Sequence, residues 1–209
     1  MSGAFPTSPA PRDVKLGSLQ PTRVSVSHSQ ARYTRTLNVQ RWMLSLDFAD
    51  LEATDLAPIF AFLLKQRGQY DTFQFTLQDA WWNDKLGSLL GGTPVVDNEV
   101  GSPTQLQTGR ALNIRGCSSS ITDWAKAGAV FKIAGHAKVY MLTADADTDG
   151  DGKTRLVFDP ALVESPADGE ALTFNDVPFT VSLTRDGAMP KPAPGAIFSL
   201  ETVELVEAP

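Results

Sequence analysis

The chain has 209 residues, a net charge of −6, 42% hydrophobic and 20% charged residues, a composition that excludes a disordered chain and membrane-span content. Its 16 Gly and 14 Pro favour turns and short strands over long helices. The lone cysteine, Cys117, excludes an internal disulfide and a cysteine zinc cluster.

Charge is unevenly spread. Residues 1–45 hold Arg12, Lys15, Arg23, Arg32, Arg35 and Arg41 against Asp13 alone, which leaves the acidic excess on the rest of the chain. An acidic body argues against sequence-specific nucleic-acid binding, which needs a basic footprint. A basic segment beside an acidic body suits contacts between copies of one chain, although scattered solvated arginines would look the same in sequence.

The opening MSGAFPTSPAPR lacks the basic and apolar regions of a secretory signal. Its Pro and Ser content predicts an extended or mobile arm. From Leu16 to Phe48 the pattern is strand-like: Val24 and Val26 alternate, then Trp42, Leu44, Leu46 and Phe48. One wet and one packed face predict an antiparallel sheet. Leu56, Ile59, Phe60, Leu63 and Leu64 then fall on one helical stripe, with Thr54 or Asp55 as cap, Pro58 in the first turn and Gly68 as the stop.

Phe73, Phe75 and Leu77 return to strand alternation. The adjacent Trp81 and Trp82 cannot share one face of a strand, so at least one is expected at an edge, a junction or a subunit contact. Residues 86–109 are rich in Gly and poor in large side chains, as a domain boundary would be. Short strands follow at turn-punctuated spacing: RALNIRG, AVFKIAG, KVYMLTA, TRLVF, EALTF and FTVSLT. That rhythm predicts a small barrel or sandwich. RDGAMPKPAPG (185–195) is a second breaker-rich stretch. In AIFSLETVELVE the apolar phase slips between Leu200 and Val203, as at a bulge.

The economical organisation is mainly β: a β-rich host domain with one α-helix, residues 1–92 with 187–209, carrying an inserted small barrel, residues 93–186.

TADADTDGDGKTRLVF (143–158) reads at first as a calcium loop. Counting from Asp145, the ligand positions 1, 3 and 5 are Asp145, Asp147 and Asp149, and Gly150 falls at position 6. Position 12, however, is Leu156 rather than a bidentate Glu, and strands flank the loop where helices belong. An acidic hairpin tip, rich in D-G turn signals, is the expectation. Neither His28 nor His136 sits in a metalloprotease or triad spacing, GCSSS (116–120) is no nucleophile elbow, and no phosphate loop occurs. No catalytic set, metal or cofactor is expected.

KAGAVFKIAGHAKVYMLT (126–143) resembles the inserted barrel of the distal tail proteins of long non-contractile bacteriophage tails. QTGRALNIRG before it and TRLVFDPALVESPADGEALTF after it fit the same style. FADLEATDLAPIFAFLLKQRGQYDTFQFTL (48–77) is similar to that family's helix and following strand, and GAIFSLETVEL (195–205) to its closing strand. The likeness spans roughly 40–80 and 105–205. It implies an oligonucleotide/oligosaccharide-binding (OB) type barrel on a host domain, and six copies in a ring at the tail tip. It also implies an adaptor between the tail tube and the hub or fibre proteins of the baseplate, in a virion, with DNA passing through the lumen. Arg32, Arg35, Arg41, Trp81 and Trp82 are the candidate subunit-interface residues. A carbohydrate-binding module for host attachment through the inserted barrel is the alternative; a hydrolase would need paired carboxylates that the sequence does not display.

Overall fold

The computed structural model describes residues 3–37, 39–99, 106–187, 190–195 and 197–208. Within them the protein is mainly β with one α-helix, as the alternating patterns predict. Two compact units emerge: Met1–Phe75 with Thr180–Pro209, and Thr76–Phe179.

In the first unit, β1 (Asp13–Leu19), β2 (Thr22–Val26), β3 (Arg32–Thr36), β4 (Arg41–Asp47) and β5 (Leu51–Glu52) precede helix α1 (Ala53–Lys65) and β6 (Phe73–Leu77). Trp42, Leu44 and Leu46 bury one face of β4, as their spacing requires. Five strands form a sheet in which the chain's last strand lies beside β4 and next to the strand Val177–Leu183. That last strand, Val203–Glu207, sets Leu205 opposite Leu44. Its Glu207 is fully buried, where a carboxylate oxygen accepts from the Trp42 amide at 3.2 Å.

Three sequence expectations change here. Helix α1 begins at Ala53, with Glu52 at the cap position and no side-chain cap bond, so Pro58 lies beyond the first turn. Leu56, Ile59 and Leu63 are buried, whereas Leu64 is 64% exposed because it falls off the stripe's edge. The amino-terminal arm is anchored: the Phe5 amide donates to Gln74 O and the Gln74 amide to Gly3 O. Phe5 is buried among Phe48, Phe62, Phe73 and Phe75, and that apolar burial holds a Pro-rich segment whose composition alone would leave it loose.

In the second unit, 3₁₀ turns at Asp79–Trp81 and Asn83–Leu86 lead into β7 (Gly92–Val96), β8 (Ala111–Cys117), β9 (Val130–Ile133), β10 (Val139–Leu142), β11 (Thr154–Asp159) and β12 (Leu172–Thr173). Their order in the sheet is β12-β9-β10-β11-β8-β7. A bridge between Val95 and Ala171 joins the two outer strands, so the sheet curls into a nearly closed barrel and hides both edges. Trp124, Phe131, Tyr140, Phe158 and Phe174 fill it, Phe131 lying 5.3 to 5.6 Å from three of the other rings. Asn83 clamps β9 from outside: its side-chain oxygen accepts from the Val130 amide, and its Nδ2 donates to the carbonyls of Val130 and Phe174.

The chain then runs through β13 (Val177–Leu183) to β14 (Pro190–Ala193), β15 (Ile197–Leu200) and the last strand, β16 (Val203–Glu207). The expected bulge between Leu200 and Val203 is instead a break between strands of different sheets, since β15 pairs with β5 and β14. Two prolines in β14 are tolerated because it is an outer strand, where missing amides cost no ladder bond. Of the breaker-rich stretches, residues 100–105 and 188–189 lie outside the described residues.

Candidate assembly surface

The β2–β3 hairpin is a two-stranded sheet with no third strand among the described residues. Its turn closes through the Ser27 amide on Ala31 O, with Gln30 in the left-handed region. All ten strand residues are exposed, so the expected packed face is absent. Val26 and Tyr33 are 63% and 65% exposed. An isolated hairpin is marginal in water, and this one also sets Arg23 directly opposite Arg35, a like-charge pair that weakens it further. Such a ribbon is stabilised by whatever covers it.

Arg32 and Arg35 both lie on β3 but on opposite faces of the ribbon, while Arg41 opens β4 opposite Leu19. None of the three has an ion-pair partner among the described residues. Trp81 and Trp82 belong to the other unit, and both are half-buried. The Trp82 indole is engaged there, donating to Gly128 O at 2.9 Å.

In the acidic loop the carboxylates serve the backbone. Asp145 accepts from the Ala127 amide, Asp147 from the Asp123 amide, and Asp149 from the amides of Asp151 and Lys153, all at 2.7 to 2.9 Å. Lys126 adds an ion pair to Asp123 at 2.6 Å. The three aspartates thus cap separate amides, and among the described residues no group of three His, Cys, Asp or Glu side chains could hold a metal ion.

An ionic knot, half-exposed at Arg115 and Asp168 and buried at Asp97, closes the barrel where β7 meets the turn before β12. Arg115 grips Asp168 through two parallel bonds of 2.7 and 2.8 Å and reaches Asp97 at 3.1 Å. The Asn98 amide donates to Asp168, and the Gly169 amide to Val96 O. Arg115 first, then the Asn98 amide, hold the Asp168 carboxyl down at about 2. At Asp97 burial pushes upward, but the Glu99 amide, Lys153 and Arg115 prevail and keep the carboxyl below its usual range. Lys153 Nζ faces Asp97 Oδ2 at 3.3 Å as a charge contact rather than a directed hydrogen bond.

Beside the knot lies a polar cavity of about 250 Å³ lined by Asp97, Asn98, Gln107, Asn113 and Arg155. Gln107 spans it, donating to Asp97 O, Asn98 Oδ1 and Asn113 O. Burial pushes the Cys117 thiol up to about 12, which makes it a poor nucleophile. His136 lies 3.1 Å from Glu170 and 3.6 Å from Glu164. These groups brace loops; they do not assemble a nucleophile and its base.

Residues 93–177 match the family model described as Distal tail protein pb9, B domain. That match supports a structural role in a phage tail, and with it a virion component that meets other tail proteins. No curated protein matches the chain. The matched segment runs from β7 through the start of β13, and so takes in every strand of the barrel and its closing knot. No described helix is long and apolar enough to cross a membrane.

Sequence reading had no hold on Asn83 or on the Arg115 knot. Asn83 sits in a polar turn that looks like any other, and Asp97, Arg115 and Asp168 are 18 and 53 residues apart along the chain.

Proposed function

We propose that this chain is a ring-forming adaptor at the tip of a phage tail. Six copies close head to tail, joining the tail tube above to baseplate hub and fibre proteins below, around a lumen through which DNA passes. The single observation that carries this reading is the β2–β3 ribbon, exposed on both faces and crowded with arginines that lack ion-pair partners among the described residues. A head-to-tail contact uses two different surfaces on each copy and closes when the rotation allows. Arg32, Arg35 and Arg41 serve one of those surfaces, and the negative excess of the remaining chain keeps a passing polyanion from sticking. We place the inserted domain at residues 93–186 on a host of 1–92 with 187–209. The reading needs only a small closed barrel there, not the five strands of the OB class.

Glycan binding through the barrel has less support, because Trp124, Phe131, Tyr140, Phe158 and Phe174 are all buried and leave no stacking platform. Mass photometry and negative-stain imaging of the purified chain test the adaptor reading. A six-membered ring is expected, and Arg32→Glu with Arg35→Glu dissolves it. A ring of another copy number, or one indifferent to those substitutions, overturns the assignment.

A further inference from the structure

The unpartnered charges of the first unit are sorted along the chain. Among its described residues, Arg12, Arg23, Arg32, Arg35, Arg41 and Lys65 have no ion pair, and five of these six precede residue 42. Most carboxylates of the unit are engaged: Asp47 by Lys15, Asp71 by Arg67, Glu201 by Lys191, Glu204 by Arg185. Among the described residues those without a partner are Asp50, Glu52 and Asp55, all within six residues and all exposed. They flank an apolar spot, since β15 sets Ile197 directly opposite Glu52 and leaves it 39% exposed.

The ribbon presents the complementary set on one of its faces. Tyr33, 65% exposed, lies beside the opposed pair Arg23 and Arg35 there, whereas Val24, Val26 and Arg32 occupy the other face. Covering it with an acidic, partly apolar surface would relieve the Arg23–Arg35 opposition and remove apolar area from water together. Among the described residues of one chain the two sets do not pair, and they are different surfaces, which is what head-to-tail association of identical copies requires.

We infer that the β2–β3 ribbon of one copy docks on the Asp50–Asp55 segment and Ile197 of a second copy, with Arg23 and Arg35 meeting Glu52 and Asp55. This rests on the ring-forming reading and supplies the acceptor face that reading lacks.

Full-length Arg35→Cys and Glu52→Cys variants, mixed and oxidised, test it; the buried Cys117 does not compete. A disulfide-linked heterodimer is expected at about tenfold the yield of a control mixture pairing Arg35→Cys with Val163→Cys, an exposed site on the barrel unit. Yield equal to the control overturns the inference. In parallel, Glu52→Arg with Asp55→Arg should weaken assembly about as much as Arg23→Glu with Arg35→Glu does, roughly tenfold or more, and mixing the two double variants should restore association between them. If ribbon reversal dissolves the assembly while acceptor reversal leaves it whole, the acceptor face is wrong and the ring stands. If the native chain does not associate with itself at any concentration, both fall.

Discussion

Arg115 and Asp168 form a two-pronged ion pair, Nη1 to Oδ1 at 2.7 Å and Nη2 to Oδ2 at 2.8 Å, across the line where the barrel closes. Backbone bonds on either side of it, from Gly169 to Val96 O and from Val96 to Glu170 O, are the only ladder the closing strands share besides the Val95–Ala171 bridge among the described residues. The fork therefore supports a short seam.

Its pH dependence has a definite sign. The Asp168 carboxyl is held at about 2 in the folded barrel, below the ordinary value of about 3.9 for a free aspartate. A depressed carboxyl stabilises the folded state above the unfolded value and loses that contribution as pH falls through the folded one. Acid titration followed by near-ultraviolet circular dichroism should show the barrel loosening between about pH 4 and pH 2. Asp168→Asn should weaken the seam already at neutral pH and flatten that acid dependence. An unchanged acid transition would refute the role given to the fork.

Asn83 satisfies one buried amide and two buried carbonyls at once. Asn83→Ala should lower barrel stability by about 3 kcal/mol, because each orphaned buried group costs on the order of 1–3 kcal/mol. Asn83→Asp should be no better, since an ionised carboxylate cannot donate to the carbonyls of Val130 and Phe174. Urea unfolding monitored by tryptophan fluorescence measures both.

Phe5→Ala removes a ring that touches four other phenylalanines. A loss of about 3 kcal/mol from the first unit is expected, in line with other buried aromatic truncations. Hydrogen exchange at the Gln74 amide should rise in parallel, because that amide donates to Gly3 O. Wild-type protection there would mean that the arm docks without its phenylalanine.

Two glycines of the acidic loop should respond unequally to alanine. Gly152 has φ +69°, and a Cβ there would run into the backbone carbonyl oxygen of Cys117, whereas Gly150 faces open space. Gly152→Ala should cost about 2 kcal/mol or more, and Gly150→Ala should stay within about 0.5 kcal/mol. Thermal melts of the two variants decide it.

Local sterics and periodicity made much of this protein legible from its sequence alone. Alternation at Trp42, Leu44 and Leu46 fixed which face of β4 is buried, the stripe of Leu56, Ile59 and Leu63 fixed the helix, and the strand patterns on either side of the acidic loop set it between the paired strands β10 and β11. What a period of two cannot say is which neighbour a strand will take. That β16 lies beside β4, that β15 leaves for another sheet two residues earlier, and that Val24 and Val26 have no layer beneath them were decided by the tertiary structure. The same holds for Asn83 and Arg115, whose partners lie 47 to 91 and 18 to 53 residues away. Pairing and burial of that range depend on the whole packed arrangement, because hydrogen-bond partners and apolar cover are supplied by segments that no local pattern encodes.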